Sequence, residues 1–131
     1  VIAPPELTPD PALRDKCAPL AAASGAKISV STDIAAVAGA DAVYTDVWTS
    51  MGEEDQKERR VRLLTPYQVN RALMDKTERK DSIFLHCLPA VKGEEVTADV
   101  IDGLQSRAWD QAENRKHTIK AIMLATLTDE S

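Results

Sequence analysis

Apolar runs of strand length alternate with helix-start signals along this chain, and that alternation is what most limits the fold. Residues 27–31 (KISVS), 41–47 (DAVYTDV), 82–87 (SIFLHC) and 106–110 (SRAWD) read as strands, and Val1, Ile2 and Ala3 as the end of another stopped by Pro4-Pro5. Between them lie helix signals. Asp10 before Pro11 opens a helix whose apolar face is Leu13, Cys17, Leu20 and Ala21, with Gly25 placed to end it. Pro19 is a fault in that run and predicts a kink or a shorter helix. Asp33 caps a short helix closed by Gly39. Thr65-Pro66 with Gln68 has the form of a capping box and predicts a helix to about Lys76. Thr97 caps a short helix ending near Gly103, and the last helix is expected over residues 113–126. Strands separated by helices cannot pair as tight hairpins. The expected fold is therefore α/β, a doubly wound parallel sheet with helices on both faces.

Size and charge narrow the function. The chain has 131 residues and reads as one domain, without internal repeat, low-complexity stretch or linker. A formal net charge of −5 argues against a nucleic-acid binder, which needs a basic face to displace condensed counterions. No apolar run reaches the ~20 residues of a membrane span, and the start has no signal-peptide pattern. Cys17 and Cys87 form no metal-type pair and are read as reduced thiols of a cytosolic compartment. The opening Val1-Ile2-Ala3 has no lead-in, so the sequence reads as a piece of a longer protein.

In an open parallel sheet the ligand site lies beyond the carboxyl ends of the strands. Two strands here end in reactive chemistry, one at Asp46 and one at His86-Cys87. If they run parallel, these residues share an edge, which Glu113, Asn114 and Arg115 can join. An anion, a thiol, a cation and backbone amides suit a small zwitterion such as an amino acid. Each residue also has a plain structural explanation. Cys87 alone is more often a small buried hydrophobe. His86 can be a core histidine donating to a backbone carbonyl. Gly52 can serve only a turn, the charged run after it is a solvated face, and Arg115 can pair with Asp110 or Gln111 on a helix surface. His117 is taken as structural.

The segments YTDVWTSMGEE, LLTPYQVN, FLHCLPA, EVTADVIDG and AWDQAENRKHTIKAIMLATL together resemble the carboxyl-terminal, ornithine-binding domain of the ornithine carbamoyltransferases. The resemblance covers nearly the whole chain and implies a Rossmann-like domain spanning residues 1–131. It implies that the opening strand and helix of that domain and the separate carbamoyl-phosphate domain are absent from it. The reaction implied for the parent protein is transfer of the carbamoyl group of carbamoyl phosphate to the δ-amino group of L-ornithine, giving L-citrulline and phosphate. This chain alone is expected to be inactive.

By the same resemblance, Asp46 binds the amino groups of ornithine, Ser50 the α-amino group, and the Met51 N–H the α-carboxylate. Gly52 is the hinge of a closing loop. Cys87 lies by the δ-amino nitrogen, with Asp46 a candidate partner in proton handling. The carbonyls of Cys87 and Leu88 accept from the carbamoyl NH₂, across a Leu88–Pro89 peptide expected to be cis, with His86 and Pro89 shaping the turn. Arg115 holds the carbamoyl oxygen. No metal or organic cofactor is implied. The implied parent is a cytoplasmic homotrimer, or a mitochondrial-matrix one if eukaryotic. The alternatives are a carbamoyltransferase for another amine such as putrescine, and a non-catalytic amino-acid-binding or assembly module.

Overall fold

The computed structural model describes residues 1–49, 52 and 54–127. The first helix, α1 (Pro11–Ser24), is capped as the sequence requires, with the Asp10 carboxylate accepting from the Ala12 N–H at 2.8 Å. Gly25 closes it in the left-handed conformation, at φ 74. The helix neither stops nor shortens at Pro19. Proline removes one N–H from the helix ladder, and on an exposed helix the carbonyl left over can turn to water. A 3₁₀ turn, Ile34–Val37, follows, capped by Asp33.

Strand β1 (Ala42–Thr45) comes next, then α2 (Lys57–Leu64), whose charged sequence buries no residue. The helix expected from Thr65 to Lys76 is broken. Thr65 starts only a 3₁₀ turn, and its hydroxyl donates back to the Val61 carbonyl instead of capping. Val69 leaves the helical path to pair with another segment. Its N–H donates to the Glu95 carbonyl at 2.9 Å, and its carbonyl accepts from the Thr97 N–H at 3.0 Å. Helix α3 (Arg71–Asp75) then restarts with Asn70 as cap. Gln68 joins no capping box, since its amide donates to the Gly93 and Glu94 carbonyls.

Strand β2 (Ile83–His86) pairs with β1 in parallel, with Ala42, Val43, Tyr44 and Thr45 opposite Ile83, Phe84, Leu85 and His86. Helix α4 (Ala98–Ile101) follows; Thr97 stands at its cap position without a side-chain bond. The segment expected as a fourth strand gives a single parallel bridge between Ser106 and Phe84 before α5 (Ala108–Leu127) begins. Strand propensity loses there because the Ser106 hydroxyl accepts from the Ala108 N–H and starts the helix two residues later. The final helix therefore begins well before residue 113. The KISVS strand is likewise reduced to one parallel bridge, Ser31 to Ile2.

The class is α/β with parallel pairing throughout, as the alternation predicts. The core forms on one side of β2. Phe84, Val96 and Ala108 are wholly buried, and Met74, Val100 and Ile101 nearly so. Among the described residues no helix is long and apolar enough to cross a membrane.

Candidate functional site

Strand register builds the site. The last pair in the ladder is Thr45 with His86, so Asp46 and Cys87 come next, side by side at the carboxyl ends of both strands. Side chains alternate between faces along a strand. Tyr44, Asp46 and Cys87 therefore fall on the less covered face, whereas Val43, Phe84 and His86 fall on the core face, where all three are buried. The Cys87 thiol lies 3.2 Å from Asp46 Oδ1, which also accepts the Val47 N–H at 2.7 Å. The carboxylate is thus oriented by backbone while its exposed remainder stays open to a ligand.

His86 differs from expectation. It is wholly buried and does not donate to a backbone carbonyl. Its Nδ1 accepts the Leu88 N–H at 2.8 Å, and its Nε2 faces Glu95 Oε1 at 3.2 Å. An N–H can only donate, so Nδ1 carries no proton. Leu88 sits in the left-handed region at φ 57, and its peptide bond to Pro89 is cis. Asp46, His86 and Cys87 present possible metal-ligand atoms within 4.8 Å of one another. Binding an ion through Nδ1 would take that nitrogen from the Leu88 N–H, so the histidine fits a structural role better than a ligand role.

On the far side of Cys87 is a hollow of about 530 Å³, lined by Gln111, Asn114, Arg115, Thr118 and Ile119 with Cys87 itself. The structure thus brings Asn114 and Arg115 to the cysteine from helix α5, which the sequence also expected to carry them. Glu113 is not in that lining; its carboxylate stands 3.6 Å from Nε2 of His117, one helical turn on. A second hollow, about 560 Å³, lies along Cys87, Leu88, Pro89 and Ala90 toward Trp109. Ser50 and Met51 lie outside the described residues. Gly52, at φ 90, has the left-handed backbone that glycine tolerates best.

Two residues were not singled out from the sequence. The Tyr44 phenol is held above its ordinary pKa, first by its hydrogen bond with Cys87, then by partial burial and by the negative charge that Cys87 and Asp46 can carry; Gln111 acts the other way. Strand alternation was the available signal, since Tyr44 stands two residues before Asp46 and opposite Leu85. Glu95 is the other. A glutamate in a charged run reads as surface, yet its side chain is wholly buried.

Comparison with known proteins bears on the family and the fold. Residues 1–126 match the family model described as "Aspartate/ornithine carbamoyltransferase, Asp/Orn binding domain". A protein named ornithine carbamoyltransferase from Pseudothermotoga lettingae is 62% identical over 128 residues, covering 97% of this chain and 41% of that protein. Among solved structures, ornithine carbamoyltransferase from Pyrococcus furiosus superposes with a TM-score of 0.86 at 45% identity, over 95% of this chain and 40% of the other. Ornithine transcarbamoylase from Giardia lamblia gives 0.84 at 38% identity, over 100% and 42%. The chain therefore spans about two fifths of the length of the relatives it matches.

Proposed function

The chain belongs to the aspartate/ornithine carbamoyltransferase family, through its Asp/Orn-binding domain, and on that premise we propose that residues 1–131 form the ornithine side of a carbamoyltransferase that makes L-citrulline and phosphate from L-ornithine and carbamoyl phosphate. What carries this reading is the contact of 3.2 Å between Cys87 Sγ and Asp46 Oδ1 at the ends of two parallel strands, beside a hollow that Arg115 also lines.

The chemistry sets a requirement for each group. The nucleophile is the lone pair of a neutral amine, which attacks the carbamoyl carbon. The bond from that carbon to the phosphate oxygen breaks, its electron pair leaves with the phosphate, and the proton lost from the amine passes to the departing phosphate or to water. A free alkyl amine, with a pKa of ~10.4, is almost wholly protonated at neutral pH. Desolvation and a nearby cation both favour its neutral form, and Arg115 supplies the cation. Arg115 also stabilises charge developing on the carbamoyl oxygen. Asp46 would favour the protonated amine, so its role is to orient the amino groups rather than to activate them. Cys87 approaches the δ-nitrogen, and the carbonyls of Cys87 and Leu88 accept from the carbamoyl NH₂. Ser50 and Met51 meet the α-amino and α-carboxylate groups, and Gly52 is the hinge of the loop that carries them. The parent enzyme is a cytoplasmic homotrimer whose carbamoyl-phosphate site is supplied outside this chain, and the chain alone makes no citrulline.

The decisive experiment is calorimetry on the parent enzyme with Asp46→Asn. Ornithine binding should weaken by about 1.5–3 kcal/mol, the worth of a hydrogen bond to a charged group, while carbamoyl phosphate binds as before. Unchanged ornithine affinity would remove Asp46 from the site. Putrescine, which has no α-carboxylate, should bind the unmodified enzyme far more weakly than ornithine; equal binding would favour the diamine reading.

A further inference from the structure

The Cys87–Leu88 segment holds an uncommon conformation, and the contacts that hold it lead to a residue outside the reacting groups. Leu88 has φ 57, a region that residues with a Cβ seldom occupy. Its N–H is fixed by donation to His86 Nδ1 at 2.8 Å. That bond exists only while Nδ1 is bare, so the ring's proton must sit on Nε2. Nε2 faces one atom, Glu95 Oε1, at 3.2 Å. The same oxygen accepts the Val91 N–H at 2.6 Å. One carboxylate oxygen thus ties the end of β2 to the far side of the turn.

Glu95 is itself rigidly presented. Its carbonyl accepts the Val69 N–H at 2.9 Å, and the neighbouring Gly93 and Glu94 carbonyls accept from Gln68. The side chains of His86 and Glu95 are both wholly buried. A buried carboxylate is costly unless its hydrogen bonds are met; here both partners, the His86 ring and the Val91 N–H, converge on Oε1, while Oε2 is buried without a hydrogen-bond partner among the described residues. A histidine without an acceptor at Nε2 can move its proton to Nδ1. It would then point one N–H at another, and Leu88 would be released.

We infer that Glu95 is a positioning residue for the Cys87–Leu88 segment, acting through the tautomer of His86. The inference rests on the reading of that segment as the amine and carbamoyl end of the site. Glu95 touches no substrate. It holds the ring that holds the Leu88 N–H, and so fixes where the Cys87 thiol and the Cys87 and Leu88 carbonyls point.

The test begins with the unmodified 131-residue chain. Nitrogen-15 NMR of the imidazole should show a neutral His86 with its proton on Nε2 and none on Nδ1; a proton on Nδ1 overturns the inference. Glu95→Ala should then mix the tautomers and change the alkylation rate of Cys87 by iodoacetamide. Cys17, on α1, is the internal control and should react as before. Glu95→Gln keeps a carbonyl acceptor for both N–H groups and should restore the tautomer and the thiol rate. A folded Glu95→Ala chain with both readouts unchanged overturns the inference. If the alanine variant does not fold, the glutamine variant decides, and loss of the Nε2–H tautomer there overturns it. In the parent enzyme, Glu95→Ala should lower kcat by about tenfold, comparable to removing the outer partner of a metal-bound histidine, with the KM for ornithine little changed and Glu95→Gln recovering most of the rate. A parent that makes no citrulline even unmodified would instead count against the proposed reaction, leaving the ring and thiol results to judge Glu95.

Discussion

The stretch from Val69 to Ile101 and the helix α1 both carry apolar residues that the sequence places on shared faces, and they meet opposite fates. In the first, Val69, Leu73, Met74, Phe84, Val96 and Val100 converge on one core. In the second, no residue is buried; Leu13 is 56% exposed and Leu20 71%. Periodicity tells which side chains share a face. It does not tell what covers that face. Non-local hydrogen bonds mark the difference: Val69 to Glu95 and Thr97 cross within the first region, and Gly39 to Thr77 and Phe84 to Gln105 and Arg107 tie it to the segments on either side. In α1 the Asp10 carboxylate takes the Ala12 N–H and the Ser24 hydroxyl donates to the Leu20 and Ala21 carbonyls, all within the helix and its cap.

The largest effect should come from breaking the first region. Phe84 is wholly buried, and Phe84→Ala should cost the protein about 3–5 kcal/mol in urea denaturation, the range for removing a core aromatic. Leu20→Ala makes a change of the same kind on α1 and should stay within about 0.5 kcal/mol, as surface substitutions do. Similar losses at the two positions would mean that α1 is covered in solution and that the contrast is mistaken.

The same division explains what was legible in the sequence. The α/β class, both named strands and the caps at Asp10 and Asp33 follow from local signals, and local contacts enforce them. The capping box at Thr65 failed because Gln68 and Val69 are taken by residues 93–97, some 25 positions away. No window of local sequence contains that competition. The strand at Ser106 failed for a nearer reason, since the Ser106 hydroxyl starts α5 where the β-prone Trp109 suggested extension. At the site, Asp46 and Cys87 were legible because parallel pairing puts strand ends together. Glu95 was not, because burying a carboxylate depends on His86 and the Val91 N–H, which only the folded turn brings to it.

A second contrast separates the two faces of β1 and β2. On the core face His86 is fully enclosed, whereas on the other Tyr44 is 55% exposed and close to the thiol. With Tyr67→Phe as background, Tyr44 is the remaining phenol. Its ultraviolet titration should run above the ordinary tyrosine range, first because of its hydrogen bond with Cys87, then because of partial burial and the negative charge that Cys87 and Asp46 can carry. Cys87→Ala removes the hydrogen bond between the phenol and the thiol and should bring the titration back toward the ordinary value. A curve that ignores Cys87→Ala would mean that the phenol and the thiol do not meet, and that Tyr44 belongs to the solvent rather than to the site face.

The smallest effect concerns the rim of the buried region, where Arg79 donates to Asp81 through Nε at 3.2 Å and through a terminal nitrogen at 2.8 Å. These bonds hold the Asp81 carboxyl below its ordinary pKa, together with a backbone hydrogen bond and the charge of Arg79. A carboxyl with a depressed folded pKa binds its proton more readily in the unfolded chain. Its contribution is therefore complete above the unfolded value and is lost as pH falls through the folded one. Urea midpoints should decline through that acid window, and Asp81→Asn should lower the neutral-pH midpoint slightly, remove this part of the decline and converge with the unmodified chain in acid. The pair is at the surface, where long side chains lose entropy in pairing and ions screen the attraction. Added salt should flatten the difference between the two chains. Phe84, buried a few residues along the same chain, should show no such salt dependence. A salt-sensitive Phe84→Ala loss, or an Asp81→Asn loss equal to it, would mean that the boundary between the enclosed region and its solvated rim is drawn in the wrong place.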